Sequence, residues 1–261
     1  MTSKRALTIV LLAAASAAVL AGCGGVGARL TFSDTEKVKV TEIVMTGGSG
    51  DVTVRTAAIN ETRINRIVHH NADPGQTYRL DGTVLHIDTN CGHDCSVSYE
   101  IEAPTGVAVR GELRSGDVGL TGVGATDVTL TSGDIMVRGA TGTVQAQSTS
   151  GDITVMDSKA AVTIQATSGD IRAMNVGGGP VSARVTSGDV DVKLTEANSV
   201  TAEANSGDVN VIVPAGSYRV GADTGSGDDR VVGIVNDPSA KNVINVHTGS
   251  GDATISAAPA A

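Results

Sequence analysis

Apolar and polar residues alternate strictly in the stretch before each Ser-Gly-Asp tripeptide of this chain. Val162, Ile164 and Ala166 stand six, four and two residues before Ser168; Val181, Ala183 and Val185 precede Ser187 in the same way, and Val200, Ala202 and Ala204 precede Ser206. Period two marks a strand with one buried face. Beyond the tripeptide the parity changes. Ile135 and Val137 lie three and five residues after Ser132, as do Ile153 and Val155 after Ser150, and Val209 and Val211 after Ser206. A slip of one residue requires a bend or bulge at Gly-Asp, and glycine tolerates the backbone angles this needs. Each unit therefore predicts strand, corner, strand and loop, with small core residues suited to a narrow coil.

The unit recurs serially. Corners are expected at Ser115-Gly116-Asp117, Ser132-Gly133-Asp134, Ser150-Gly151-Asp152, Ser168-Gly169-Asp170, Ser187-Gly188-Asp189 and Ser206-Gly207-Asp208, with further copies ending at Asp228 and Asp252 and an isolated early copy ending at Asp51. From Ser115 the serine spacings are 17, 18, 18, 19, 19, 20 and 24 residues. Such a period is too short for a helical repeat or a propeller blade and suits one coil of a β-solenoid. Regular coils are expected over 107–255 and a small disordered tail over 256–261. Residues 37–106 carry less regular strand patterns, at Thr62 to His70, Thr83 to Asp88 and Ser96 to Glu102. They read as irregular first coils or a cap, since a solenoid needs atypical ends to cover its strand edges.

The first 22 residues read as a targeting segment. Lys4 and Arg5 precede a weakly apolar run, Ala6 to Leu20, too short for a membrane span, and Leu20-Ala21-Gly22-Cys23 follows. This resembles the bacterial lipobox, which implies cleavage before Cys23, a diacylglycerol on its sulfur and a chain tethered outside the cytoplasmic membrane. Residues 23–36 then form the lipidated terminus and a spacer. From residue 23 onward 17 basic residues face 28 acidic ones, a net charge of −11. That balance disfavours nucleic acid and anionic lipid as partners. Aromatic residues are limited to Phe32, Tyr78, Tyr99 and Tyr218.

Together the lipobox, the segment Cys91-Gly92-His93-Asp94-Cys95 before Val97-Ser98-Tyr99-Glu100-Ile101-Glu102-Ala103-Pro104, and the serial Ser-Gly-Asp-Val/Ile coils resemble the DUF4097/DUF2807 group of adhesin-like proteins with β-strand repeats. The resemblance spans essentially the whole mature chain. It implies a right-handed β-solenoid on the bacterial surface and brings no catalytic residues.

Stacked coils place equivalent residues about 4.8 Å apart, where neighbouring carboxylates repel by about 0.9 kcal/mol even in water. Something must offset this along the aspartates. Hydrogen bonds from each turn's own amides or serine hydroxyl would do so. A row of Ca²⁺ ions, with Asp134, Asp152, Asp170 and Asp189 as ligands, is the alternative. Cys91 and Cys95 form an even pair in an oxidising compartment, so a tight-loop disulfide is expected. His93 and Asp94 between them also permit a metal reading, which needs a fourth ligand and reduced thiols. No cofactor is implied. His69 and His70 are adjacent on a strand and point to opposite faces; His86 and His247 are single.

The function expected from these features is that of a membrane-anchored surface lipoprotein, a non-catalytic binding or structural module. Its outward positions, such as Thr163, Gln165, Arg172, Arg184, Thr201 and Glu203, would face a cell-wall polymer or a surface protein. The alternatives are a polysaccharide-active β-helix enzyme, with a cleft best placed between Asp228 and Ser250, and a Ca²⁺-stabilised envelope spacer.

Overall fold

The computed structural model describes residues 16–17, 29–70 and 73–259. Cys23 and most of the expected leader lie outside them. All elements among the described residues are β, arranged as two long, largely parallel sheets that face each other across one core. Each coil gives one strand to each sheet. In the second sheet Thr126–Ser132, Val144–Ser150, Val162–Ser168, Val181–Ser187 and Val200–Ser206 stack in parallel, with the serines in register. The strands after each tripeptide, Ile135–Arg138, Ile153–Met156, Ile171–Val176, Val190–Leu194 and Val209–Val213, stack in the first sheet. The chain is a β-solenoid, as its periodicity requires.

The alternation decides which side chains are inside. Val162, Ile164 and Ala166 are buried from one sheet, and Ile171 and Ala173 from the other. Each buried valine or isoleucine contributes about 1.5–3 kcal/mol, so the core dominates the stability of a coil. The phase slip occurs at the glycine. Gly169 has φ +115°, and a Cβ there would lie 2.3 Å from the carbonyl oxygen of Gly151 in the neighbouring coil. The second corner uses left-handed residues: Gly139 (φ 65°), Asp157 (φ 56°) and Asn175 (φ 56°) stand at equivalent positions, directly after the in-register Arg138, Met156 and Met174.

Spatial order departs from chain order at both ends. Glu42–Gly47 and Val52–Ala57 form a regular coil directly beside Ala108–Leu113 and Val118–Thr121. Asp51, which reads as isolated in the sequence, is thus a member of the stack, adjacent to Asp117. The chain between them runs outward to an outer coil, Val84–Asp88 and Ser96–Pro104, before returning. At the other end Ser217–Thr224 and Asp229–Val232 form the outermost coil. The last strands, Val243–Ser250 and Ala253–Ala257, turn back and fill the layer between it and Val200–Val213.

Two expected boundaries need correction. Arg29–Glu36, expected within a spacer, is a strand paired along its length with Thr62–His69. Its inward Asp34 and Glu36 are held by Arg66 and Tyr78, which is why charges can stand on its inner face. Ser256 and Ala257, expected in a disordered tail, complete a strand opposite Ile212 and Val213. The wide interval from Asp228 to Ser250, the expected place for a cleft, is occupied by the end coil and the chain's return.

Candidate functional site

Alternation fails at one place in the second sheet, and that failure shapes the surface. Thr131 and Ser132, Thr149 and Ser150, Thr167 and Ser168, and Thr186 and Ser187 are consecutive and all exposed. The ladder skips the threonine, pairing Leu130 with Ser148 and then Ser132 with Ser150. The strand therefore bends before the corner and opens a shallow longitudinal groove of about 470 Å³. Its floor is made of the buried residues two before each serine, such as Ser148, Ala166 and Ala204. The groove crosses six coils, from Thr129 to His247, a length of roughly 24 Å at the inter-strand spacing.

One wall is a single in-register column: Thr129, Gln147, Gln165, Arg184, Glu203 and His247. Its first half is neutral and offers hydroxyl and amide groups. Its second half is zwitterionic. Arg184 Nε donates to Glu203 Oε2 at 2.9 Å, and this hydrogen bond, then the carboxylate's charge, raises the guanidinium pKa above its ordinary value. His247 Nδ1 lies 3.0 Å from Asp223 Oδ2 in the next coil outward. The opposite wall is hydroxyl-bearing, with Thr149, Thr167 and Thr186. Each group can donate or accept, and the set repeats at the coil spacing. Such a set can hydrogen-bond a linear polar chain whose own repeat matches the coil spacing.

The expected surface residues divide. Gln165, Arg184 and Glu203 line the groove. Thr163 and Thr201 share the next in-register column of the same sheet. Arg172 belongs to the other sheet and lies on the corner row, where its guanidinium donates to Asp152 Oδ2 (3.2 Å) and Asp170 Oδ2 (2.7 Å). Against the cost of desolvation, these carboxylates raise its pKa.

The aspartate row is satisfied differently from the expected own-turn hydrogen bonds. Each Oδ1 accepts the backbone N–H of the aspartate in the adjoining coil: Asp117 to Asp51, then Asp134 to Asp117, Asp152 to Asp134, Asp170 to Asp152, Asp189 to Asp170 and Asp208 to Asp189, at 2.8–3.0 Å. The row continues from Asp208 to Asp252 to Asp228, following spatial order. At the far end Asp51 N–H donates to Ser98 Oγ. Charge-assisted bonds of this kind contribute about 1.5–3 kcal/mol each, more than the mutual repulsion removes. Each coil thus docks on its neighbour's carboxylate. No group of three or more potential metal ligands occurs among the described residues. Cys91 and Cys95 are joined in a disulfide, which takes both thiols out of any metal site. His93 beside them is exposed and pairs with Asp94.

A family model described as Toastrack DUF4097 matches residues 16–177 and 111–256. This chain belongs to the Toastrack DUF4097 family. Among solved structures, a "putative adhesin" from Bacteroides fragilis superposes with a TM-score of 0.55 at 15% identity, over 87% of this chain and 97% of that one. A "putative adhesin" from Parabacteroides distasonis gives 0.48 at 12% identity over the same shares. The first likeness corroborates the solenoid fold. No curated protein matches the chain.

The Toastrack sequence carries the groove's signal in the pair Thr-Ser before Gly-Asp. Two successive polar residues after a strict alternation mean that the strand leaves its plane there. Composition alone does not reveal this.

Proposed function

We propose that this Toastrack protein is a lipid-anchored bacterial surface protein whose groove binds a linear polar polymer, such as a cell-wall glycan, without transforming it. The observation that carries the reading is the in-register column of Thr, Gln, Arg, Glu and His along an open groove six coils long. A repeating ligand meets the same geometry at every step, so weak contacts add along its length. Anchoring rests on Cys23 and its lipobox. Five residues separate Cys23 from Arg29, a reach of at most ~22 Å. That keeps the end bearing Arg29–Glu36 near the membrane. Two or three acyl chains suffice for stable anchoring. The name of the solved relative, "putative adhesin", agrees with a surface role.

The test has two arms. Metabolic labelling with a clickable fatty acid tags the parent chain and leaves Cys23→Ala unlabelled and released. Co-sedimentation of the Cys23→Ser chain with insoluble cell-wall polymer reads binding. Arg184→Ala and Gln165→Ala weaken it about tenfold, the loss of one good hydrogen bond, and Asn210→Ala on the other sheet leaves it unchanged. Equal binding by all variants refutes the groove.

A polysaccharide-active enzyme is the second reading, supported by His247 between Glu203 and Asp223 at the groove's end. Polymer cleavage that is lost in His247→Ala establishes it.

A further inference from the structure

The two ends of the solenoid are built differently. At the end bearing Arg29–Glu36, that strand and Thr62–His69 are the outer strands of the first sheet apart from Ser16–Ala17, which pairs antiparallel with Phe32 and Ser33, and Tyr78–Asp81 closes the second sheet. Phe32 and Tyr78 hold the buried Arg66 guanidinium between their rings, at 5.0 and 5.5 Å, and Asp34 pairs with it at 3.2 Å. The outer strand there carries the exposed charges Arg79 and Asp81. Charges on an edge disfavour strand addition unless the incoming edge complements them.

At the opposite end the edge strand Asp229–Val232 also carries exposed charges, Asp229 and Arg230, but among the described residues no clamped arginine closes it. Asp229–Val232 pairs only with Ala253–Ser256, and among the described residues no strand covers its outer edge. On its outer edge Ser217–Thr224 is paired only at Ser217 and Tyr218, by Val235–Asn236, and Asn236 Oδ1 also accepts the Val220 N–H. Four large hydrophobic residues are exposed among the described residues, and three are here: Val231 (42%), Val232 (43%) and Val235 (61%). Val220, Ala222 and Ile234 are only partly covered, although Ile244 and Val246, at the positions of Val220 and Ala222 one coil inward, are buried. The corner row also ends open. Asp228 donates its amide to Asp252, but among the described residues no amide donates to its own Oδ1.

We infer that this end is an isologous interface that pairs with the same end of a second copy. The edge sequence is self-complementary. Antiparallel pairing about a two-fold axis between Asp229 and Arg230 sets Asp229 opposite Arg230 of the second copy, twice. Directly opposed residues in an antiparallel pair share a face within about 5.5 Å, close enough to pair their charges. In the same register Val231 stands opposite Asp228 of the second copy and Val232 opposite Gly227, so the exposed valines of each edge lie against the partner strand. The unpaired edge gains main-chain hydrogen bonds, as in strand addition generally. Closed two-fold symmetry leaves no free edge of this type, so assembly stops at two. The two grooves then run end to end, doubling the length offered to a linear ligand. This interface involves the end coil alone and does not depend on what the groove binds.

Sedimentation velocity of the Cys23→Ser chain across a concentration series tests it. The expected result is a reversible monomer–dimer equilibrium. Val231→Asp weakens the dimer at least tenfold while the circular dichroism spectrum and melting temperature stay those of the parent. Asp229→Arg or Arg230→Asp alone also weakens it, and the two together restore it. A chain that remains monomeric throughout the series overturns the interface. So does a dimer indifferent to Val231→Asp. An open-ended polymer, or a double charge reversal that does not rescue, overturns the two-fold register.

Discussion

Replacing Gly169 by alanine tests the corner that every coil shares. The residue sits at φ +115°, where a side chain costs about 1–3 kcal/mol in backbone strain. Its new Cβ would lie 2.3 Å from Gly151 O and 3.1 Å from Asp152 Oδ1. Relief requires the two coils to part locally. That motion stretches the bond from Asp170 N–H to Asp152 Oδ1 (2.8 Å) and the one from Gly151 N–H to Ser168 O (3.1 Å). At about 1 kcal/mol for a neutral bond and somewhat more for the charged one, the expected total is about 3–5 kcal/mol. For a chain of this size that lowers the melting temperature by about 10 °C. Urea unfolding followed by far-ultraviolet circular dichroism reads it as a lower midpoint. Gly139→Asn is the control. Gly139 has φ 65°, a Cβ added there would meet no atom within 4 Å, and Asp157 and Asn175 already occupy the equivalent corners. Its cost should stay below about 1 kcal/mol. A Gly169→Ala chain within about 1 kcal/mol of the parent, or a control as costly as the test, refutes the reasoning.

Other outcomes follow from the same geometry. Burial raises the pKa of Tyr99 to about 12 from an ordinary 10, and raises those of Tyr78 and Tyr218 as well. The native state holds these protons more tightly than the unfolded chain. The stability tied to them is complete below about pH 10 and is lost as pH rises toward about 12. Absorbance at tyrosinate wavelengths should therefore stay flat through about pH 10 and rise only with unfolding; a normal titration near pH 10 contradicts it. Asp152→Ala strands the Asp170 amide and should cost about 1–3 kcal/mol. Asp152→Asn, which keeps an acceptor, should cost less, and equal losses would deny the amide's role. The parent's melting temperature should be the same in Ca²⁺ and in EDTA, and a rise with Ca²⁺ would restore the metal row. Ending the chain after Asn242 removes the layer on which Ser217–Thr224 and Asp229–Val232 rest. Hydrogen exchange should show the end coil unprotected; protection there would mean it had re-docked on Val200–Val213.

Much of the fold is legible because a narrow coil repeats its constraints. Alternation before Ser168 and the slip after it determine which of Ile164 and Gln165 is inside, and the same reasoning holds for every copy. The order of the coils is not legible. The segments ending at Asp208, Asp228 and Asp252 carry near-identical corners, so nothing local distinguishes which one docks on which. The detour between Asp51 and Asp117 hides their contact for the same reason. Arg29–Glu36 reads as polar because Asp34 and Glu36 stand where apolar residues would mark a strand; their partners, Arg66 and Tyr78, come from distant sequence. Gln165, Arg184 and Glu203 can be picked out as outward positions from alternation alone. The pair Thr-Ser signals the bend, but that the bend makes Gln165, Arg184 and Glu203 one wall of a groove depends on the in-register stacking of the strands.

The groove's role as a binding surface is tested most directly by photo-crosslinking on intact cells. A photoreactive residue at Thr167 lies in the groove, and one at Thr154 lies on the opposite sheet. One dominant wall-polymer adduct is expected at position 167 and none at 154. Adducts at 167 that match those at 154, or those of an unrelated surface lipoprotein, would contradict a binding role for the groove.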